Sequence, residues 1–209
     1  MFEQESVWIK KEIEALDLTN VETVLDVGSS SLNYRTVKQP FIDNNIFAPL
    51  REKSKKIFHF DSKKQEGVDI IGEINTIDEI DKTFDLLLCC SLLEHVAEPD
   101  KVADKLMKII NKGGYAIITV PRNFIYHLDP IDTGFRPTPN NLAALFKNFK
   151  IIKKHLLEIN GLGADWKCSY KNRYKQILKI IFRFEFKDFK NIPIIIRKYK
   201  MSCIIVKKV

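Results

Sequence analysis

The chain has 209 residues, of which 45% are hydrophobic and 29% are charged, a balance that excludes intrinsic disorder and predicts a domain with a sizeable core. Lys and Arg outnumber Asp and Glu by 34 to 27, so the net charge is +7 and an anionic partner stays open. Four cysteines without a CxxC pair do not make a disulfide scaffold. We expect a cytoplasmic protein, because no apolar stretch reaches the ~18 residues of a bilayer span and the acidic start lacks a signal peptide.

Hydrophobic spacing predicts the elements of the first half of the chain. The lead helix is expected at residues 7–16, and four strands are expected at residues 21–27, 56–60, 68–71 and 84–90. Residues 32–55 show no single clean helix. The fourth strand is apolar throughout after its first acid, which is typical of a strand that is covered on both faces of a sheet.

The second half continues the alternation of helices and strands. A helix is predicted at residues 100–110, ended by residues 112–114, and a strand at residues 115–120. A helix at residues 140–149 and strands at residues 149–159 and 201–209 complete the set. Alternating strands and helices predict an α/β fold with a parallel sheet. We expect residues 1–209 to form a single domain.

Small or acidic residues follow the predicted strands, at the edge of the sheet where ligands of open parallel sheets bind. Gly28 would let a ligand approach backbone N–H groups. Asp61 could accept both hydroxyls of a ribose, and Glu73 could accept from a purine amino group. Taken singly, these residues could equally be a tight-turn glycine, a helix cap and a surface acid.

The order of these motifs resembles that of the class I S-adenosylmethionine-dependent methyltransferases, and the resemblance covers roughly residues 20–150. It implies a Rossmann-like sheet, mostly parallel with an antiparallel last strand and helices on both faces, and S-adenosyl-L-methionine as the cofactor. The resemblance implies one set of cofactor-binding residues: Asp26, Gly28 and Ser30 for the methionine moiety, Asp61 for the ribose, Glu73 and Ile74 for the adenine edge, and Cys90 beside the sulfonium. The first loop departs from the family, since serines 29–31 stand where glycines are usual.

Residues 126–139 form a second motif, which looks like the HxDPxDxxRxTP loop of the type 11 subfamily, whose members often accompany glycan and other biosynthetic pathways. His127 could take a proton from an acceptor hydroxyl. Asp129 could orient that imidazole, and Arg136 could clamp a carboxylate or phosphate. His95, just after the fourth strand, is a further catalytic candidate. These side chains could instead only fix the loop and the helix start.

Two other classes of site are disfavoured by the sequence. The four histidines are scattered and none has the spacing of a zinc or iron motif, so no metal site is predicted. The sequence after the first strand lacks the GxGxxG of a dinucleotide-binding oxidoreductase. The leading hypothesis is a methyltransferase acting on a small molecule, most plausibly a sugar or glycan-pathway hydroxyl. The alternative is a degenerate domain that binds nucleic acid or a membrane.

The basic charge is concentrated near the C-terminus. Residues 150–209 carry 16 Lys and Arg against 4 Asp and Glu, whereas residues 1–149 carry 18 against 23. Residues 160–200, between the last two predicted strands, interleave basic and aromatic side chains. We expect this insertion to cap the acceptor pocket. A lipid-linked acceptor and peripheral membrane contact stay open, and nucleic acid is the less favoured partner.

Overall fold

Seven strands form one sheet in a computed structural model that describes residues 1–124, 126–127, 131–159 and 198–209. The strand order is β3-β2-β1-β4-β5-β7-β6. The strands are β1 Thr23–Val27, β2 Lys56–Asp61, β3 Ile70–Ile71, β4 Phe84–Cys90, β5 Ile110–Pro121, β6 Phe149–Ile159 and β7 Tyr199–Lys208. Strands β1 to β5 pair in parallel, and β7 runs antiparallel to both β5 and β6. The predicted mostly parallel sheet with an antiparallel last strand is confirmed.

Helices cover both faces of this sheet, as predicted. They are α1 Glu3–Ala15, α2 Pro40–Ile42, α3 Ala48–Glu52, α4 Pro99–Lys108 and α5 Pro139–Ala143. Successive side chains of a strand point to opposite faces, so Leu86 and Leu88 of β4 pack with α1, α2 and α3, whereas Leu87 and Cys89 pack with α4 and α5. The unbroken apolar run in β4 is explained by these two covered faces.

The stretch between β1 and β2 is a series of short helical turns rather than one helix. Two π-helical turns, Tyr34–Lys38 and Asp43–Phe47, alternate with α2 and α3. A proline lies in the first turn of both α2 and α3. Proline lacks an N–H and is tolerated only at the beginning of a helix, so the two prolines divide the segment. This division accounts for the missing helical period in the sequence.

Several boundaries differ from the predicted ones. Strand β5 already begins at Ile110, so residues 112–114 lie inside a strand and do not form a turn after α4. The glycines there accommodate a shift in register between β4 and β5, and Gly113 has a φ of +81°. Strand β3 has only two residues, and α5 ends at Ala143 before a 3-10 turn, Ala144–Phe146.

The predicted acceptor cap lies almost wholly outside the described residues. Strands β6 and β7 flank residues 160–197 in the sequence, and these residues are not described. Within the described parts of the chain, every helix is too short or too polar to cross a bilayer.

Candidate functional site

A cavity of about 210 Å³ opens at the carboxyl ends of β1, β4 and β5. Its walls come from the loop after β1, the segment after β4, the segment after β5 and the beginning of the chain. Six of the predicted site residues line it: Asp26, Gly28, Ser30, Cys90, His95 and His127. This is the edge at which ligands of open α/β sheets bind.

Four other predicted residues are described but do not line the cavity. The carboxylate of Asp61 accepts hydrogen bonds from the N–H groups of Ser30, at 2.8 Å, and Lys63, at 3.0 Å. Glu73 is exposed and precedes a 3-10 turn that begins at Ile74. Arg136 lies in the segment after β5, and Asp129 lies outside the described residues.

The loop after β1 is tightly turned despite its serines. The N–H groups of Gly28 and Ser29 both donate to the carbonyl of Phe60, at 2.9 and 3.0 Å. Gly28 has a φ of +77°, and a Cβ there would lie 3.1 Å from the side chain of Leu92. Ser30 also has a positive φ, 58°, which costs more in serine than in glycine. The hydrogen bond from Ser30 to Asp61 holds this turn in place.

The buried side chain of Arg35 forms hydrogen bonds with the same loop. Its side chain donates to the carbonyls of Ser29, at 3.1 Å, Ser30, at 2.6 Å, and Gly67, at 2.8 Å. Burial lowers the pKa of Arg35, and nearby carboxylates led by Asp26 oppose that shift. Arg35 was not among the predicted site residues, because it lies in the irregular stretch between β1 and β2 and belongs to no motif.

Asp26 is held by a histidine of the neighbouring strand. Its Oδ2 lies 2.9 Å from Nδ1 of His59, and both side chains are 13% exposed. The ring of Phe47 packs edge-on against His59, with centroids 4.9 Å apart. His59 therefore positions a cavity carboxylate, a role that the strand pattern alone did not indicate.

Glu94 brings a second, more deeply buried carboxyl group to the cavity wall. It is 1% exposed, and its Oε2 has no hydrogen-bond partner among the described residues. Burial raises the pKa of Glu94 to about 8, and the nearby Glu5 carboxylate adds to the increase. Glu5 is itself buried and accepts a hydrogen bond from the hydroxyl of Thr119 at 2.5 Å. Glu94 directly precedes the candidate His95 in the sequence, and no role was predicted for it.

Two imidazoles lie beside Glu94. Nδ1 of His95 is 2.5 Å from the carbonyl of Ile131. A carbonyl only accepts, so Nδ1 carries the proton and Nε2, 3.8 Å from Glu94 Oε1, is left with a lone pair when the ring is neutral. The rings of His95 and His127 meet edge to face with centroids 5.0 Å apart. The fold thus joins two of the four scattered histidines.

Asp132 fixes the position of His127. Its buried carboxylate accepts from Arg136 at 2.6 Å and from the N–H groups of His127 and Gly134, both at 2.9 Å. Nδ1 of His127 lies 3.3 Å from Asp132 Oδ2. Burial opposes ionisation, but these hydrogen bonds outweigh it and lower the pKa of Asp132 to about 2. Asp132 is therefore placed to orient the imidazole of His127, a role that the sequence analysis assigned to Asp129.

The cavity offers a cation one ionised carboxylate and one buried carboxyl group. Asp26 and Glu94 line it together with Met1 at the start of the chain, and no Lys or Arg side chain does so among the residues that the structure describes. Cys90 also lines it, but burial raises the pKa of its thiol well above the usual value, so a neutral thiol rather than a nucleophilic thiolate faces the cavity. A sulfonium or ammonium group matches this donor set.

Residues 36–118, less than half of the chain, match the family model described as "Methyltransferase domain". The match contains Asp61, Glu73, Ile74, Cys90 and His95, and it begins after the serine-rich loop. None of the curated proteins matches the sequence.

Solved structures of methyltransferases share the fold at low sequence identity. A SAM-dependent methyltransferase from Archaeoglobus fulgidus superposes with a TM-score of 0.57 at 14% identity, covering 99% of this chain and 94% of that one. The N-methyltransferase NodS from Bradyrhizobium japonicum, in complex with S-adenosyl-L-homocysteine, gives 0.54 at 9%, covering 96% and 86%. Coclaurine N-methyltransferase, bound to N-methylheliamine and S-adenosyl-L-homocysteine, gives 0.60 at 15%, covering 99% and 72%.

Proposed function

We propose that the chain is an S-adenosylmethionine-dependent methyltransferase that methylates a small molecule bound in the cavity beside His95 and His127. The partial match to the methyltransferase family model and the shared fold support this proposal. The observation that carries the proposal is the meeting of two imidazoles and two carboxyl groups at the carboxyl ends of the central strands. The neighbouring loop after β1 is the one to which the family resemblance assigns the cofactor.

The residues of this chain fit the cofactor by their charge and position. We assign Asp26, Gly28 and Ser30 to its methionine moiety, because Asp26 offers a carboxylate and all three residues line the cavity. The N–H groups of Gly28 and Ser30 are not available for this contact, since they donate to Phe60 and Asp61. Asp61 is assigned to the ribose hydroxyls. The adenine edge is assigned to Glu73 and Ile74, and the sulfonium to the surroundings of Cys90.

The chemistry requires alignment and removal of one proton. When bound, the cofactor supplies a methyl group on a positively charged sulfur. His127 takes the proton of the acceptor hydroxyl, and the ionised carboxylate of Asp132, 3.3 Å from Nδ1, stabilises the imidazolium. Phe2 and Phe124, whose ring centroids lie 5.6 Å apart, form an apolar part of the cavity lining.

We propose that the methyl acceptor is a hydroxyl group of a sugar or glycan-pathway molecule, because residues 126–139 resemble the type 11 loop. Arg136 is then a positioning residue for His127 through Asp132, and Asp129 remains a candidate of the same loop. An amine acceptor is the second candidate, because the described cavity lining is acidic and without Lys or Arg. The insertion at residues 160–200 stays a proposed cap that could admit a lipid-linked acceptor at a membrane surface.

Methyl transfer from isotope-labelled S-adenosylmethionine to panels of carbohydrates, phenols and amines tests the proposal. We expect label in a hydroxyl-bearing product, and a His127→Asn variant should lower kcat by roughly 100-fold or more, the usual share of a general base. His155→Asn is the matched control, since His155 lies on β6 and stacks on Trp8. Transfer to amines alone would replace the hydroxyl assignment, and transfer to no panel member would contradict the proposed function.

A further inference from the structure

Three metal-ligating groups meet at one wall of the cavity. Glu94, His95 and His127 each offer one ligand atom, and these atoms lie within 4.8 Å of one another. Ligand atoms of a zinc ion lie about 2.0–2.2 Å from the metal, so each of the three atoms would have to move by under about 1 Å toward a common centre to bind one ion. The histidines come from different segments, which is why no spacing motif exists in the sequence.

The second ring nitrogen of each histidine is arranged as in metal sites. His95 is held through Nδ1 by the carbonyl of Ile131, and the Nδ1 of His127 faces the carboxylate of Asp132. Metal-ligating histidines characteristically use their other nitrogen on a backbone carbonyl or a carboxylate, which fixes the ring orientation.

The carboxyl group of Glu94 is only partly compensated, because burial raises its pKa and outweighs Arg136 and the N-terminal ammonium, which favour its ionised form. It is 1% exposed, its Oε2 is without a hydrogen-bond partner among the described residues, and no Lys or Arg of those residues lines the cavity. A buried polar atom without a partner is costly. A cation coordinated by the Glu94 carboxylate would offset that cost.

We propose that Glu94, His95 and His127 form a binding site for a divalent transition-metal ion, with Zn²⁺ as the probe that best matches two imidazoles and one carboxylate. Three protein ligands leave at least one coordination position open, and that position faces the cavity. Mg²⁺ is a poor match because it prefers oxygen ligands.

The open position would take the acceptor oxygen, an assignment that rests on the proposed function. A bound metal ion would lower the pKa of a coordinated hydroxyl, so the proton would leave to water and the oxygen would keep the electron pair that forms the bond to the methyl carbon. The bond between that carbon and the sulfonium sulfur would break, its electron pair would pass to sulfur, and S-adenosyl-L-homocysteine would leave. With the ion bound, the lone pair of the His127 ligand nitrogen is occupied, and the ion activates the acceptor in place of the imidazole.

Equilibrium dialysis of chelator-stripped protein against Zn²⁺, with metal content measured by mass spectrometry, tests the site. We expect about one Zn²⁺ per chain, and at least tenfold weaker binding by Glu94→Gln and by His95→Asn. Asp132→Asn should weaken binding by roughly tenfold through the orientation of His127. His155→Asn is the matched control and should bind as the wild type does. Circular dichroism and thermal unfolding establish that each variant is folded.

Two results would overturn the site: no Zn²⁺ on the folded wild type, or equal binding by the wild type and folded Glu94→Gln. Zn²⁺ binding without methyl transfer to any acceptor would support the site and contradict the proposed function. Methyl transfer that is unaffected by chelation, in protein that binds no Zn²⁺, would contradict the site and leave the proposed function standing.

Discussion

Single buried carboxyl groups decide the geometry of this cavity. Asp26, Glu94 and Asp132 are each buried or nearly so, and each has a different partner. Asp26 contacts a histidine, Asp132 contacts an arginine and two backbone N–H groups, and Glu94 retains an oxygen without a partner within the described chain. The paired carboxylates fix the loops that carry them. The one with a spare oxygen is the group best placed to contact a ligand.

Asp132→Asn should destabilise the protein by about 2–3 kcal/mol, because Arg136 would lose its ionic partner in a buried setting. Urea unfolding measures the change. Asp43→Asn is the control, since Asp43 makes a bond of similar length, 2.7 Å, to an Arg51 side chain that is 50% exposed, and such surface pairs contribute less than about 1 kcal/mol. Equal effects of the two substitutions would contradict a structural role for Asp132.

The amino ends of the central strands are joined by Asp85. It accepts hydrogen bonds from the N–H groups of Glu22 and Thr23, at 3.0 and 2.9 Å, from the Thr23 hydroxyl, at 2.9 Å, and from the side chain of Asn111, at 2.7 Å. These bonds connect β1, β4 and β5 at the irregular register near Phe84. They outweigh the effect of burial and lower the pKa of Asp85 below 3.8.

Asp85→Asn should therefore lower the free energy of unfolding at neutral pH by about 1 kcal/mol. A lowered pKa in the folded state stabilises the protein above the unfolded pKa, and the benefit disappears as the pH falls through the folded pKa. The difference between wild type and variant should shrink below about pH 4 in unfolding titrations. Asp104→Asn, on the exposed side of α4, is the control, and a difference that grows on acidification would refute this account.

The central elements could be predicted from the sequence because their physics is local. The apolar run of β4 and the amphipathic period of α4 can both be seen in consecutive residues of the sequence. The bounds of β5 could not be predicted, because two adjacent glycines, 113 and 114, usually indicate a turn. Only the pairing with β4, which the sequence does not show, keeps them within the strand. The helical turns between β1 and β2 follow from tertiary packing around two prolines, and no periodic pattern marks them.

At the scale of the whole molecule, the sequence indicated which edge of the sheet carries the site but not how its residues interact. The motif order placed Asp26, Gly28, Cys90 and His95 at the carboxyl ends of strands, and all four line the cavity. His127 and Asp132 are only five residues apart, and Arg35 is five or six residues from the carbonyls of Ser30 and Ser29 that it contacts. These contacts depend on irregular backbone conformation and follow no helix or strand period, so the sequence suggested a hydrogen-bonded loop but not which side chains pair.

Calorimetric titration with S-adenosyl-L-homocysteine tests whether the cofactor binds at this edge of the sheet, as the proposed methyl transfer requires. We predict one molecule bound per chain and at least tenfold weaker binding by Asp26→Asn, with Asp81→Asn, an exposed position, unchanged. Failure of the folded wild type to bind, or equal affinity of wild type and Asp26→Asn, would contradict the account.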